Sequence, residues 1–499
     1  MIVMTFGLLV VTGCSSGSTS NSTVKPAPTS VPSGPRHEFI TGPAGPAAEV
    51  IGELTGGDGI NLASASTGPA VPKEGWVEGE FAVQGTAISY QSEGELPADG
   101  KFELTEDARA DYRTRIVVRR PSQTKNFNGT VIVEWLNVSG GLDAGPDFSY
   151  ARNEIIRGGY AWVGVSAQSI GVEGGPVAVR IEAAEAAGAG KGLRTIDPER
   201  YANLHHPGDA FSYDIYTQVA RTLRTPNGED PMGGLRPRHI LAIGESQSAF
   251  ALTTYVDGVQ PLTRAFDGFL IHSRGGAAAP LGQPGAGIDI AGTISGRPTL
   301  IRTDGQAPIM VLETETDLFG FLNYFPARQP DSSRFRLWEI AGTAHADTYL
   351  IGEIADLIGC PVPANSGPGH YLVSRALHDL NRWVATGVAP RKAARLEVNA
   401  AGKIARDEYG NAKGGIRTPL VDVPVDTLSG EAAGGSVACL LFGSTTPLTA
   451  EQLSARYDSR LDYVNEYRDA TDAAIRAGFV LRADRKELLA EADPNRIGG

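Results

Sequence analysis

The feature that most narrows the fold is a series of short, almost wholly apolar runs, spaced by helical or Gly-rich stretches, between residues 81 and 346. Strands buried on both faces carry no polar alternation, so this rhythm builds a mixed or parallel sheet with helices on either side. Residues 82–90 and 112–119 predict an antiparallel opening pair, and residues 130–136, 161–167, 239–243, 268–271, 308–312 and 335–340 predict the later, more buried strands. Helical crossovers fit at 147–157, 213–223, 247–256 and 371–384; in the second, Tyr213, Tyr216, Val219, Ala220 and Leu223 recur at helical spacing. The expectation is an α/β chain with a mostly parallel, eight-stranded sheet.

Two connections are too long for simple turns. Residues 169–209 and 273–307 are rich in Gly, Ala and Pro and are expected to sit above the strand ends as a lid or substrate wall. From residue 395 the rhythm changes: 396–399, a Gly-containing turn and 409–424 suggest β structure, and 450–477 a helical stretch. This divides the chain into a core domain at 38–394 and a small α+β appendage at 395–499, with no internal repeat.

The start of the chain reads as an export signal. Residues 1–11 form an apolar run of signal-peptide length, too short for a membrane-spanning helix, although no Lys or Arg precedes it. Val11-Thr12-Gly13-Cys14 follows and looks like a bacterial lipobox, which would place a lipid on Cys14 and anchor the chain at a membrane. Residues 15–37, dense in Ser, Thr, Pro and Gly, read as a disordered tether. If Cys14 is lipidated, Cys360 and Cys439 remain, and in an oxidising compartment they can pair or stay as buried thiols. No cysteine spacing or Asp-rich loop forms a metal motif, so no metal is expected. With 44 basic against 57 acidic residues, a net charge of −13, the chain is a poor partner for nucleic acid.

One motif carries chemistry. The apolar strand beginning at His239 runs into Gly244-Glu245-Ser246-Gln247-Ser248-Ala249, a strand–turn–helix that has the shape of a nucleophile elbow. Small residues two before and two after the serine let strand and helix backbones nearly touch; here the second is Ser248 rather than glycine. The alternative role for Ser246 is a plain helix cap. A serine needs a base, and in this arrangement the chain order is Ser, acid, His. His345, in the loop after the last strand, is the expected base, with His370 as runner-up. Asp317 is the expected acid, with Glu315 and then Glu313 as alternatives after the strand at 308–312. Oxyanion donors would be the backbone N–H of Gln247 and that of Val138 or Ser139, beside the glycine pair Gly140-Gly141. Trp135 and Phe148 could line an acyl pocket or belong to the core.

Glu134-Trp135-Leu136-Asn137-Val138-Ser139, Gly244 to Ser248, Glu313 to Asp317 and Ala341 to Asp347 together resemble the α/β-hydrolase superfamily, specifically the exported bacterial alpha/beta hydrolase domain-containing proteins. The resemblance spans about residue 38 to the C-terminus. It implies hydrolysis of a carboxylic ester through an acyl-serine, without a cofactor, on a small-molecule or envelope ester. Sugar-ester (glucuronoyl-type) hydrolysis is an alternative, although such enzymes usually carry Arg where this chain has Gln247. A catalytically silent surface-binding lipoprotein is the other; it would lack a triad member, and none is missing by type.

Overall fold

The computed structural model describes residues 45–63, 71, 74–352, 355, 358–432 and 434–498; the expected signal segment, the tether and Cys14 lie outside the described residues. The apolar runs form β1 (Glu49–Glu53), β2 (Trp76–Ser92), β3 (Leu104–Pro121), β4 (Thr130–Trp135), β5 (Ala161–Val165), β6 (His239–Glu245), β7 (Gly268–His272), β8 (Ile309–Glu313) and β9 (Phe335–Glu339). They make one nine-stranded sheet in the order β1-β2-β3-β5-β4-β6-β7-β8-β9. Pairing is antiparallel from β1 to β5 and parallel from β5 to β9. The strand beyond the eight expected is β1, which adds to the free edge of β2.

Successive residues of each central strand feed opposite layers. Val131 and Val133 of β4 pack with α2 (Ser212–Arg224) and α3 (Gln247–Thr254). Ile132 between them packs with α1 (Pro146–Gly158) and α4 (Gly369–Thr386) on the other face. Both faces are thus apolar, which is why the strands carry no polar alternation. Arg115 of β3, with no exposed surface, is paired with Glu80 and with Asp143, the latter at 3.0 Å, so its buried charge is compensated on two sides.

The two long connections are tied together over the carboxyl ends of the strands. Asp209, buried, accepts from Ser169 N–H at 2.6 Å in the first and from Ile288 N–H at 2.7 Å in the second. The first also clamps the loop after β4: Ala178 and Val179 N–H both donate to Ser139 O, and Gly190 N–H donates to Gly141 O.

The C-terminal region is part of the same compact unit, His37–Gly499. Its only strand pair among the described residues is β10 (Asp426–Ser429) with β11 (Ser444–Pro447), later than expected. The stretches at 396–399 and 409–424 make isolated bridges instead, such as Leu396 with Gly414 and Arg406 with Ala412. The helix expected over 450–477 is broken into α6 (Ala450–Arg456) and α7 (Arg460–Ala477), because Ser459 caps a new start by accepting from Asp462 N–H. Ahead of these, α5 (Val437–Phe442) carries Cys439, which is disulfide-bonded to Cys360 across a sequence separation of 79.

Candidate active site

β6 ends at Glu245 and α3 starts at Gln247, leaving Ser246 alone at the turn with φ 58° and ψ −121°. A non-glycine residue there costs about 1–3 kcal/mol, so the surroundings must hold it. They do so by close approach: a Cβ on Gly244 would stand 3.0 Å from the Ser248 Cβ and from Leu252 Cδ1. Ser246 N–H donates to His272 O at 3.0 Å, which ties the turn to the end of β7. Ser246 is therefore not a simple helix cap; its side chain caps nothing on α3.

His345 comes to Ser246 from the loop after β9. Its Nε2 lies 2.7 Å from Ser246 Oγ, and its Nδ1 lies 2.7 Å from Asp317 Oδ1. Asp317 is held in turn: its Oδ2 accepts from Thr314 N–H at 2.6 Å and from Thr314 Oγ1 at 2.7 Å. Burial pushes the Asp317 carboxyl up, but His345 and the Thr314 donors outweigh it and hold the group below its ordinary value. Burial works against the His345 cation, and Glu245 and Asp317 outweigh it, raising the imidazole pKa.

The alternatives fall elsewhere. Glu315 Oε1 accepts from Gly342 N–H at 2.6 Å, and its Oε2 from Gly430 N–H and Arg406 at 3.2 Å, so it braces the His345 loop against the appendage. Glu313, buried at the end of β8, has its pKa raised by burial and then by the Asp317 charge. His370 lies at the start of α4, stacked on Tyr349 with centroids 3.8 Å apart, and burial pushes it down to about 3. Asp317 alone of the acid candidates bonds His345 Nδ1, and His345 alone of the two histidines meets Ser246.

Of the oxyanion candidates, the structure keeps two in play. Gln247 opens α3, so its N–H has no intrahelical acceptor. Val138 N–H has no partner among the described residues. Ser139 is a correction: its N–H donates to Asn137 Oδ1 at 2.8 Å, so it is not available. Of the two roles open to the aromatics, the core one holds. Trp135 packs against Tyr213 and Tyr216 and donates Nε1–H to Gln168, and Phe148 packs against Trp162; both belong to the core.

Residues not singled out in the sequence complete the surroundings. Thr316 Oγ1 accepts from His345 N–H at 3.2 Å, and Asn137 Nδ2 donates to Glu245 O at 3.1 Å. Glu245, next to the serine, places Oε1 3.2 Å from His345 Nε2. Burial pushes the Glu245 carboxyl up to about 7, against the pull of His345 and His272. His272 Nδ1 lies 2.9 Å from Asp147 Oδ1, and burial lowers its pKa. Among the described residues no cluster of three or more His, Cys, Asp or Glu could hold a metal ion, and no helix is long and apolar enough to cross a membrane.

In a comparison with solved structures, the chain is similar to a fungal esterase from Rhizomucor miehei, at 11% identity over 62% of this chain and 85% of that one, TM-score 0.30. It is also similar to a glucuronoyl esterase from Solibacter usitatus, at 11% identity over 58% of this chain and 83% of that one, TM-score 0.27. No curated protein matches the chain in sequence. The family described as alpha/beta hydrolase domain matches residues 42–490, nearly the whole of the described chain, and the protein belongs to that family.

Proposed function

We propose that the protein is a serine hydrolase that cleaves a carboxylic ester through an acyl-serine intermediate. The carrying observation is the continuous chain from Ser246 Oγ to His345 Nε2 and from His345 Nδ1 to Asp317 Oδ1, at 2.7 Å in each step, with the serine on a strained turn. Ser246 Oγ attacks the ester carbonyl carbon while its proton passes to His345 Nε2, and Asp317 supports the imidazolium. The carbonyl electrons move onto oxygen, which the N–H groups of Gln247 and Val138 would receive. His345 then gives its proton to the departing alcohol oxygen. In the second half it deprotonates a water, which attacks the acyl carbon and releases the acid and the free serine.

Export and a lipid anchor on Cys14 belong to the same proposal, resting on the lipobox-like Val11 to Cys14. The Cys360–Cys439 disulfide is in keeping with an oxidising compartment.

The test is hydrolysis of p-nitrophenyl esters, acetate through palmitate, by the protein and by Ser246→Ala, together with labelling by a fluorophosphonate. Loss of about 10³-fold or more in kcat and loss of labelling in the variant are expected. The acyl-length optimum then sets esterase apart from lipase. Equal activity in both proteins, or no turnover and no labelling in either, refutes the proposal.

A further inference from the structure

His345 Nε2 has two oxygen neighbours rather than one. Ser246 Oγ lies at 2.7 Å and Glu245 Oε1 at 3.2 Å, while Asp317 occupies the other ring nitrogen. Glu245 is 4% exposed, and its only side-chain hydrogen bond among the described residues comes from Asn137 Nδ2 to Oε2 at 3.3 Å. A buried carboxylate with so few donors is costly, and the cost falls when a cation forms beside it. In this site the cation that forms is the His345 imidazolium.

Building on the serine mechanism proposed above, we infer that Glu245 is a positioning residue for proton transfer: its carboxylate is the second anion that holds the proton on His345 after Ser246 has released it. In acylation the Ser246 Oγ–H bond breaks, an Nε2–H bond forms, the Oγ–carbon bond forms, and the carbonyl electron pair moves to oxygen. The new Nε2–H then lies between Glu245 Oε1 and the departing oxygen, and Asp317 accepts from Nδ1–H. The proton leaves with the alcohol, so Glu245 neither gains nor loses one during turnover.

The rest of the surroundings favour this division of labour. Glu245 is faced by His345 from the loop after β9, by Asp317 from the short helix Glu315–Leu318 after β8, by His272 from β7, and by Asp147 and Tyr150 from α1. His272 already engages Asp147 through Nδ1 at 2.9 Å, and burial disfavours its charged form. His345 is the neighbour whose charge rises and falls with each turnover. Two groups this close titrate as a pair, so the acid limb of the activity profile reports Glu245 and His345 together.

The experiment is the pH dependence of kcat/KM for p-nitrophenyl acetate between pH 5 and 9, using the full-length protein, Glu245→Gln and Ser246→Ala. Active sites are counted by fluorophosphonate titration, and folding is checked by thermal melting. Glu245→Gln is expected to lower the alkaline plateau by about tenfold or more through kcat, with KM little changed. It is also expected to move the acid limb to lower pH by about one pH unit, because the imidazolium loses an adjacent anion. A folded Glu245→Gln protein whose plateau and limb superimpose on those of the wild type overturns the inference. Wild-type activity in Ser246→Ala overturns instead the serine mechanism on which it rests. Should Glu245→Gln not fold, the downfield proton signal of His345 Nδ1–H in the wild type serves in its place. Two titration steps support the pair, and a single step overturns it.

Discussion

Replacing Asp317 by Asn separates hydrogen bonding from proton placement, because the structure dictates which way the new amide must turn. Asp317 Oδ2 accepts from Thr314 N–H at 2.6 Å, and a backbone N–H can only donate. The carbonyl oxygen of the new amide must therefore take the Oδ2 position, which turns its NH2 toward His345 Nδ1, now 2.7 Å from Asp317 Oδ1. Nδ1 then has to accept, and the ring proton moves to Nε2, where it faces Ser246 Oγ and cannot receive the serine proton. Both the working tautomer and the anion supporting the imidazolium are lost together. The expected fall in kcat is about 10⁴-fold, roughly 5–6 kcal/mol of transition-state stabilisation. The melting temperature should hardly move, since the Thr314 bonds survive. Initial rates on p-nitrophenyl acetate, normalised by active-site titration, measure the fall. Glu315→Gln is the matched control: its amide offers one acceptor oxygen, so either Gly342 N–H or the Gly430 N–H and Arg406 pair is left short of an acceptor, which should cost about 1–3 kcal/mol of stability with kcat kept within a few fold. Asp317→Asn retaining kcat within tenfold, or Glu315→Gln losing as much as Asp317→Asn, would refute the assignment of roles.

Two further outcomes concern stability. Cys439→Ser opens a loop closed over a separation of 79 residues and should remove about 4 kcal/mol, seen by calorimetry as a lower Tm. Reductant should lower the wild-type Tm and leave that of the variant unchanged; a wild-type Tm indifferent to reduction of the bond speaks against it. Burial pushes the Asp347 carboxyl up to about 7, whereas in the unfolded chain it titrates near 3.9, so the native state binds the proton more tightly. Between about pH 4 and 7 the unfolded state gains by ionising first, and native stability falls by up to about 4 kcal/mol on this account. Asp347→Asn keeps the oxygen that accepts from Leu350 N–H and removes the titration. Relative to wild type its Tm should therefore rise from pH 4 to pH 7 and level off above; a difference that stays constant with pH contradicts the assigned shift.

Much of the architecture was legible because burial on both faces leaves a plain mark in a strand. All eight expected strands form within a few residues of their predicted limits or extend beyond them. β1 was not legible: Glu49–Glu53 is short and carries a charge at each end, and it becomes a strand because the edge of β2 offers partners. Ser139 failed as a donor because the Asn137 side chain captures its N–H, a local turn that competes for backbone groups and leaves no periodic trace. Glu245 was in plain view beside Ser246, but its meeting with His345 Nε2 depends on a loop that arrives three strands later in the chain, after β9.

The acid shows where reading from sequence must stop. Glu315 and Asp317 sit two residues apart in the short helix Glu315–Leu318, and at about 100° per residue such side chains point to nearly opposite sides. Composition and spacing cannot say which side faces the histidine, because that depends on where the loop after β9 comes to rest. The fold places His345 on the Asp317 side and Gly342, in the same loop, on the Glu315 side. Neither carboxylate is spare: one bonds the imidazole, and the other bonds the backbone that carries it. Moving the acid by two residues would therefore remove the brace of the loop as well as the partner of the ring, so the two positions have to be occupied together.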